Sequence, residues 1–373
     1  MKKPRDSESE SVKRCSSCIL PHTTHNLDFN DKGECNICHW YNNLDNEEKC
    51  KISCSLEDIE IIIGKMKLRG RSNDYDCIMG LSGGRDSSYI LYELVKKHGL
   101  RVLAAYYRTP FTHEVIDANV KRMTKLLGVK LVHMGISAIQ HQRTARKFLI
   151  SWKKSPRSEL ANLTCTYCKF VSREIFRIAN EYHISTIVWG DNNLENFQFG
   201  SIQILNRKDE DSISSQVLKA IKTLAKGISL LFSTPSIITT LPQATAASLL
   251  YLVPHSIYLR LRYPHIYRVN YFRHKRWNES DCLAALSSMG WELPPGCNSY
   301  WKADCDFAEI KNIMFKKTAG VTYADALFSN MVRLGYISRE EAIARDETEG
   351  KTSQVRLKRA LNTLGLPEDF FET

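Results

Sequence analysis

The chain has 373 residues, 43% of them apolar and 25% charged, which suits soluble globular folding with a sizeable core in two or three domains. A net charge of +11 and a pI near 9.0 favour polyanionic ligands: nucleotides, nucleotide sugars or RNA. The twelve cysteines are not spaced as a disulfide framework, and residues 1–14 are polar with no apolar targeting run. Cys-x2-Cys pairs in such a chain predict metal binding in a reducing compartment, the cytoplasm.

The first element is Cys15-Ser-Ser-Cys18, followed after sixteen residues by Cys35-Asn-Ile-Cys38. Two such knuckles make a tetrahedral thiolate site for Zn²⁺, and four thiolates leave no open position, so the metal is expected to be structural. The Asp31-Lys32-Gly33 turn suits a small ribbon. Cys50 and Cys54 follow on a charged linker without diagnostic spacing. Residues 44–71 carry apolar positions at helical intervals (Leu56, Ile59, Ile63, Met66) and predict one amphipathic helix.

An apolar run from Asp76 then enters Leu81-Ser82-Gly83-Gly84-Arg85-Asp86-Ser87-Ser88, and a helical run follows to Lys97. Strand, glycine turn and helix in that order make an anion site. The glycines allow a sharp bend, the helix start offers unpaired N–H groups, and the serines add hydroxyls. The spacing is not that of the common P-loop, which needs a Gly-Lys-Ser/Thr end. It resembles the pyrophosphate loop of the ATP pyrophosphatase (adenine nucleotide alpha hydrolase) superfamily. That resemblance implies ATP and Mg²⁺, with Asp86 helping to place the metal and Ser87 beside it at the reacting phosphates.

Arg101–Tyr107 and Val129–Met134 read as buried strands flanking a helix over Thr112–Leu127. Strands alternating with helices predict an α/β fold with a doubly wound parallel sheet, its ligand at the carboxyl ends of the strands. Arg108 falls on that rim, where it either meets a phosphate or stays solvated. After a basic helical stretch (Gln140–Lys154) comes Cys165-Thr-Tyr-Cys168, then a helix over Phe170–Tyr182, a strand over Ser185–Trp189, and Gly190-Asp191-Asn192 again on the rim. The Cys165–Cys168 pair supplies two ligands. With Cys305, Cys297 or Cys282 it would make a second metal or iron–sulfur site; alone it would be a redox dithiol or simple packing.

Residues 198–226 read as a charged excursion. The apolar stretch 227–252, broken by Pro235 and Pro242, predicts buried or interfacial helices and no transmembrane segment. Residues 255–277 interleave Arg, His, Tyr and Trp, either a grip for a nucleotide, sugar or RNA or a solvated basic face. Cys297-Asn-Ser-Tyr-Trp-Lys302-Ala-Asp304-Cys305 follows two prolines and reads as facing the site. The tail over 323–345 predicts a helix, a stop at Gly335, and a second helix capped by Ser338 with Glu341.

Taken with the loop, these features resemble the N-acetyl sugar amidotransferase family of surface-polysaccharide biosynthesis: the N-terminal ribbon, the Cys165–Cys168 pair, the Ile187-Val-Trp-Gly-Asp191 strand end and the tail Gly335–Ala342. The resemblance implies a zinc ribbon and polar tail over 1–43, an ATP pyrophosphatase domain over 44–200 and a helical substrate or partner region over 201–373. It implies that ATP adenylates the amide oxygen of a sugar or nucleotide-sugar and that ammonia displaces AMP. Position 2 is Lys and no glutaminase domain is evident, so a separate glutaminase subunit is expected to supply the ammonia. The segment 291–306 departs from the family pattern. It raises a second expectation, an ATP-dependent thiolating enzyme acting on tRNA or a small molecule through Cys165, Cys168 and Cys305 or Cys297, with an iron–sulfur cluster.

Overall fold

Strand β1 (Cys77–Gly80) is short, apolar and buried, and it is the centre of the sheet in the computed structural model, which describes residues 13–53, 57–195 and 255–372. The excursion at 198–226, the apolar stretch at 227–252 and Cys54 lie outside the described residues. Around β1 stand β2 (Val102–Tyr106), β3 (Lys130–His133), β4 (Thr186–Trp189) and β5 (Tyr267–Asn270), in the order β3-β2-β1-β4-β5. Every pairing is parallel: Met79 sits beside Ala104, Ile78 beside Ile187, and Val188 beside Val269.

Parallel neighbours need crossover helices, and these cover both faces of the sheet. Cys77, Met79, Ala104 and Val188 point one way, into a cluster with Met66 of α3 (Ile59–Gly70), Ile90 of α4 (Arg85–Tyr92) and Val120 of α5 (Glu114–Leu127). Ile78, Leu103 and Ile187 point the other way, against Ile175 and Phe176 of α8 (Phe170–Glu181) and Leu259 of α9 (His255–Arg262). Each such fully buried aliphatic side chain contributes about 1.5–3 kcal/mol. The expected doubly wound parallel fold is present. The chain builds β1, β2 and β3 outward in one direction and then returns to the other side of β1. The strand order therefore reverses between β1 and β4, and ligands settle at such switch points in open α/β sheets.

The remaining helices pack largely on one another. α6 (Ala138–Lys154), α7 (Ser158–Leu163), α11 (Phe307–Ala319) and α14 (Gln354–Leu364) share a cluster that includes Phe148, Trp152, Phe307, Phe315 and Leu361. α10 (Glu279–Ser288) lies on α4, while α12 (Tyr323–Arg333) packs against α13 (Arg339–Glu349). The tail follows its sequence pattern: Gly335 has φ +69°, and Ser338 accepts from the Glu341 amide.

Three expectations need correction. The single helix expected over 44–71 is two, α2 (Asn46–Ser53) and α3, the latter restarted by Asp58 accepting from the Glu60 amide. The ribbon is reduced to two single antiparallel bridges, Arg14 with Pro21 and Phe29 with Cys35, followed by α1 (Asn36–Asn42). The basic, aromatic stretch 255–277 contains an edge strand, β5, and a buried turn at Tyr271 and Phe272. Much of it therefore serves the sheet, and alternation was hidden because Tyr and Arg fill its half-buried positions.

Candidate active site

The bend after β1 is built on Gly83, whose φ of +83° suits glycine. A side chain there would also start 2.6 Å from Ile116 Cγ2 and 2.8 Å from Val120 Cγ2. The bend rests directly on α5, and the Trp291 indole fixes it by donating to the Gly83 carbonyl at 2.9 Å. Gly84 is the N-cap of α4 and offers no side chain to the first turn, so that turn presents its amides and the positive end of the helix outward. Ser82 and Ser87 form a small hydroxyl pair above it, 3.1 Å apart. Ser87 Oγ takes the Ser82 amide and Ser82 Oγ the Gly84 amide, both at 3.2 Å. These acceptors are rotatable hydroxyls that an anion can replace.

The other loop residues have different work. Arg85 is buried, its guanidinium 3.7 Å from the Trp301 ring centre and 4.6 Å from that of Trp277, and it pairs with Asp86 at 2.8 Å and Glu279 at 3.3 Å. Both Asp86 oxygens are in use: Oδ1 accepts from Arg85 and from Trp277 at 3.2 Å, and Oδ2 from Asn192 at 3.3 Å. Ser88 is fully buried, with its hydroxyl unpartnered, and does not line the cleft. Arg85 and Asp86 also line the cleft beside Ser82, Gly84 and Ser87, but their charged groups are already paired, with each other, with Glu279 and with Asn192, so they brace the turn.

A cleft of about 510 Å³ opens over this turn, within the usual range for small-molecule sites. Part of its lining is polar: Ser82, Gly84 and Ser87 of the turn and Gly190, Asp191 and Asn192 from the end of β4. Another part, with Leu81, Ala105, Tyr107, Met134 and Val171, is mainly apolar and suits a flat base. Arg108, although exposed, is not on the lining; it is bonded to Asp117. Surrounding protein raises the Asp191 carboxyl above its ordinary range, against the pull of Lys302 and Arg273.

The segment after the two prolines contributes to the lining, as its sequence position suggests. Tyr300, Trp301, Lys302, Asp304 and Cys305 all line the cleft. Lys302 is held at φ +52°, an uncommon conformation for a non-glycine residue, and its ammonium binds Glu195. Burial would lower its pKa, but the Glu195 carboxylate raises it above the ordinary value, so it is a fixed positive charge. The Asp304 carboxyl carbon lies 3.2 Å from where a side chain on Gly84 would begin, placing an acid beside the glycine turn. Sequence reasoning missed the tryptophans that brace the loop. They occur singly, at spacings tied to no motif.

The central cysteines divide. Cys168 and Cys305 line the cleft, Cys165 is not part of its lining, and Cys297 is elsewhere, near Arg356. A hydrogen bond from Cys168 pulls the Cys165 thiol down to about 6; burial opposes this, while Lys311 and Lys169 assist. Burial pushes Cys305 up to about 12. Among the described residues these three thiols do not join a group of three or more ligands within 4.8 Å.

The N-terminal four do. The sulfurs of Cys15, Cys18, Cys35 and Cys38 all lie within 4.8 Å of one another, with Cys18 and Cys35 at 4.0 Å, and all are buried. A tetrahedron with metal–sulfur bonds of about 2.3 Å needs sulfurs about 3.8 Å apart, so the set fits a metal ion. Amides of Cys35 and Cys38 donate to Cys15 and Cys35 sulfurs at 3.2 and 3.4 Å. The Arg333 guanidinium is buried against Cys18 Sγ at 3.9 Å. Burial acts to lower its pKa; the charges of Cys18, Cys38 and Cys35 turn that into a rise. Donors and a cation thus wait for the net negative charge that four thiolates leave around a divalent ion.

No protein-family model and no curated protein sequence matches the chain. Among solved structures, the U34-tRNA thiolase NcsA from Methanococcus maripaludis with its [4Fe-4S] cluster is 16% identical, covering 88% of this chain and 91% of its own, at a TM-score of 0.32. NMN synthetase from Francisella tularensis is 12% identical, covering 87% of this chain and 94% of its own, at a TM-score of 0.33. The class rests on the topology and site of this chain: a doubly wound parallel α/β protein with a glycine turn at its switch point and a four-cysteine centre. Among the described residues no helix is long and apolar enough to cross a membrane.

Proposed function

We propose that this chain is an ATP-consuming enzyme that activates a carbonyl oxygen as its adenylate. The observation that carries the reading is the turn at 82–87: an N-cap without a side chain, opening at the switch point into a cleft whose lining is part polar and part apolar. The turn would take the β- and γ-phosphates on its amides and on Ser82 and Ser87, with the base against Tyr107 and Met134. Mg²⁺, when bound, would neutralise the phosphates. Asp304 and Asp191 suit its placement better than Asp86, whose oxygens already accept from Arg85, Trp277 and Asn192. Lys302 would add a fixed positive charge where negative charge builds on the departing pyrophosphate.

In the first reading the acceptor is an amide of an N-acetylated sugar or nucleotide-sugar. Its oxygen attacks the α-phosphorus, the bond to the bridging oxygen breaks, pyrophosphate leaves with the electron pair, and the amide proton is released. Ammonia then attacks the activated carbon and AMP departs with the C–O electrons, leaving an amidine. A separate glutaminase would supply the ammonia, and zinc in the four-cysteine centre would be structural. A second reading is favoured by Cys168 and Cys305 on the cleft wall. A sulfur nucleophile would take the place of ammonia on the same adenylate, with RNA or a small molecule as acceptor.

The test is phosphorus NMR of ATP turnover with N-acetylated nucleotide-sugars, supplied with ammonium or with sulfide. AMP and pyrophosphate support the reading, and the nitrogen or sulfur requirement chooses between its branches. ADP with phosphate, or no nucleotide bound at Ser82–Ser87, overturns it. Metal analysis after anaerobic purification separates the branches again: zinc alone supports the first, zinc with iron the second.

A further inference from the structure

Helix α12 lies between the four-cysteine centre and the cleft and is bonded to both. On the cysteine side, the Ile19 amide donates to Ser329 Oγ at 3.3 Å, and Arg333 reaches Cys18 Sγ at 3.9 Å. On the cleft side, Asn330 Nδ2 donates to the Leu194 carbonyl at 3.1 Å. Arg333 also donates to Asn330 Oδ1, so the two helix residues form one unit. The connection continues. The Leu194 amide donates to Asn192 Oδ1 at 3.0 Å, and Asn192 Nδ2 donates to Asp86 Oδ2 at 3.3 Å. Cys18, Arg333, Asn330, Leu194 and Asn192 are all buried. An unbroken run of buried polar contacts therefore joins a metal-ligating sulfur to the acid that braces the glycine turn.

We propose that Asn330 and Arg333 are positioning residues that make the shape of the cleft rim depend on the metal centre. The inference rests on reading the cleft as a nucleotide site. Each member is held by the next, while the buried Arg333 Nε has no partner among the described residues and leaves the guanidinium dependent on its contacts with Cys18 and Asn330. With a metal bound, the four sulfurs are fixed and Arg333 has a localised negative partner. Without it, nothing holds the four sulfurs together, and the buried guanidinium packed on Cys18 Sγ loses the fixed partner it is placed against. Asn330 is held on both sides, by Arg333 and by the Leu194 carbonyl. Its movement would release the carbonyl that pins residues 192–194, and with them Asn192. Buried polar networks tolerate loss of one member poorly, because each orphaned group carries its full desolvation cost. The metal centre would then act at a distance on nucleotide binding, although no cysteine of the four lines the cleft.

The experiment is hydrogen–deuterium exchange on the full-length protein, as purified and after metal removal with 1,10-phenanthroline, read alongside the KM for ATP. Selective loss of protection in the peptide spanning 190–195, with β1 and β2 unchanged, is expected. So is a rise in KM of about tenfold with little change in kcat, in the range usual for coupled sites. Asn330→Asp keeps the acceptor for Arg333 and removes the donor to Leu194. It should retain its metal, show the open 190–195 peptide already, and gain no further KM change on chelation. Unchanged exchange at 190–195 after chelation, general opening of every peptide, or chelation and Asn330→Asp effects that add independently would each overturn the proposal. The exchange readout needs no nucleotide. If ATP fails to bind, the functional reading falls while the coupling is still decided.

Discussion

The chain uses the Cys-x2-Cys spacing three times, and two of the pairs behave differently from the third. Cys15–Cys18 and Cys35–Cys38 face each other and close into a buried set of four. Among the described residues Cys165–Cys168 has no opposing pair; Cys168 joins Cys305 on the cleft lining, and Cys165 is not part of it. The spacing makes a knuckle that can offer two sulfurs, and what the knuckle becomes depends on what the fold brings opposite it. At the N-terminus that is a second knuckle, amide donors and the Arg333 guanidinium. In the middle of the chain it is Lys311 and Lys169, which favour a thiolate beside a ligand cleft. One group is made to be closed and the other to be reached.

The largest effect expected from breaking this contrast is on stability. Cys35→Ser removes one of four ligands from a centre of the kind whose metal supplies about 10 kcal/mol or more of folding energy in small zinc modules. It should lose metal and lower the melting temperature by more than about 10 °C. Cys168→Ser should keep the metal and shift the melt little, since its cost lies near the ordinary 1 kcal/mol of a point change. Metal content and thermal melting on the two variants decide it. Equal behaviour would erase the distinction.

Next is Gly83→Ala, which tests whether the cleft depends on its bend. The new methyl meets Ile116 and Val120 at under 3 Å, in a conformation that disfavours side chains. About 1–3 kcal/mol of strain is expected. ATP turnover should fall at least about a hundredfold, because a misplaced turn misplaces the phosphates. The metal should remain. Turnover at the parental rate would move the reaction away from this turn. A smaller loss is expected from Lys302→Met, roughly tenfold to a hundredfold in kcat through loss of one fixed charge, with the fold intact by circular dichroism.

The sheet and the strand–bend–helix geometry at 77–92 were legible because both depend on local chemistry. Apolar runs of strand length alternate with helical periodicity, and glycines stand where the backbone must bend. The four-cysteine centre was legible from spacing alone. The strand at 267–270 was not, because an edge strand carries Tyr and Arg at half-buried positions and shows no alternation. The roles inside the loop were not legible either. Nothing local distinguishes Arg85, clasped by Trp277 and Trp301 from about 190–220 residues downstream, from a phosphate-binding arginine. The same is true of Asn330 and Leu194, which meet across 136 positions of sequence. Long-range packing, not residue type, assigns those tasks.

The smallest effect is one of reactivity, and it sharpens the contrast at single thiols. Alkylation requires the thiolate, so its rate follows the ionised fraction. With Cys165 pulled down to about 6, its labelling by a small electrophile should rise as pH passes through about 6 and level off above about 7. Cys305, pushed up to about 12, should stay unlabelled over that range although it faces the cleft. Cys168, which donates the hydrogen bond to Cys165, shifts the other way, well above its ordinary value, so the pair gives up one proton early and holds the other. Mass-resolved labelling from pH 5 to 8 reads the effect. A Lys311→Met variant should move the midpoint upward, because it removes a cation that favours the thiolate. An unchanged midpoint would mean that the Cys168 hydrogen bond alone sets it, and the central pair would then owe its reactivity to its own spacing rather than to the lysines the fold brings against it.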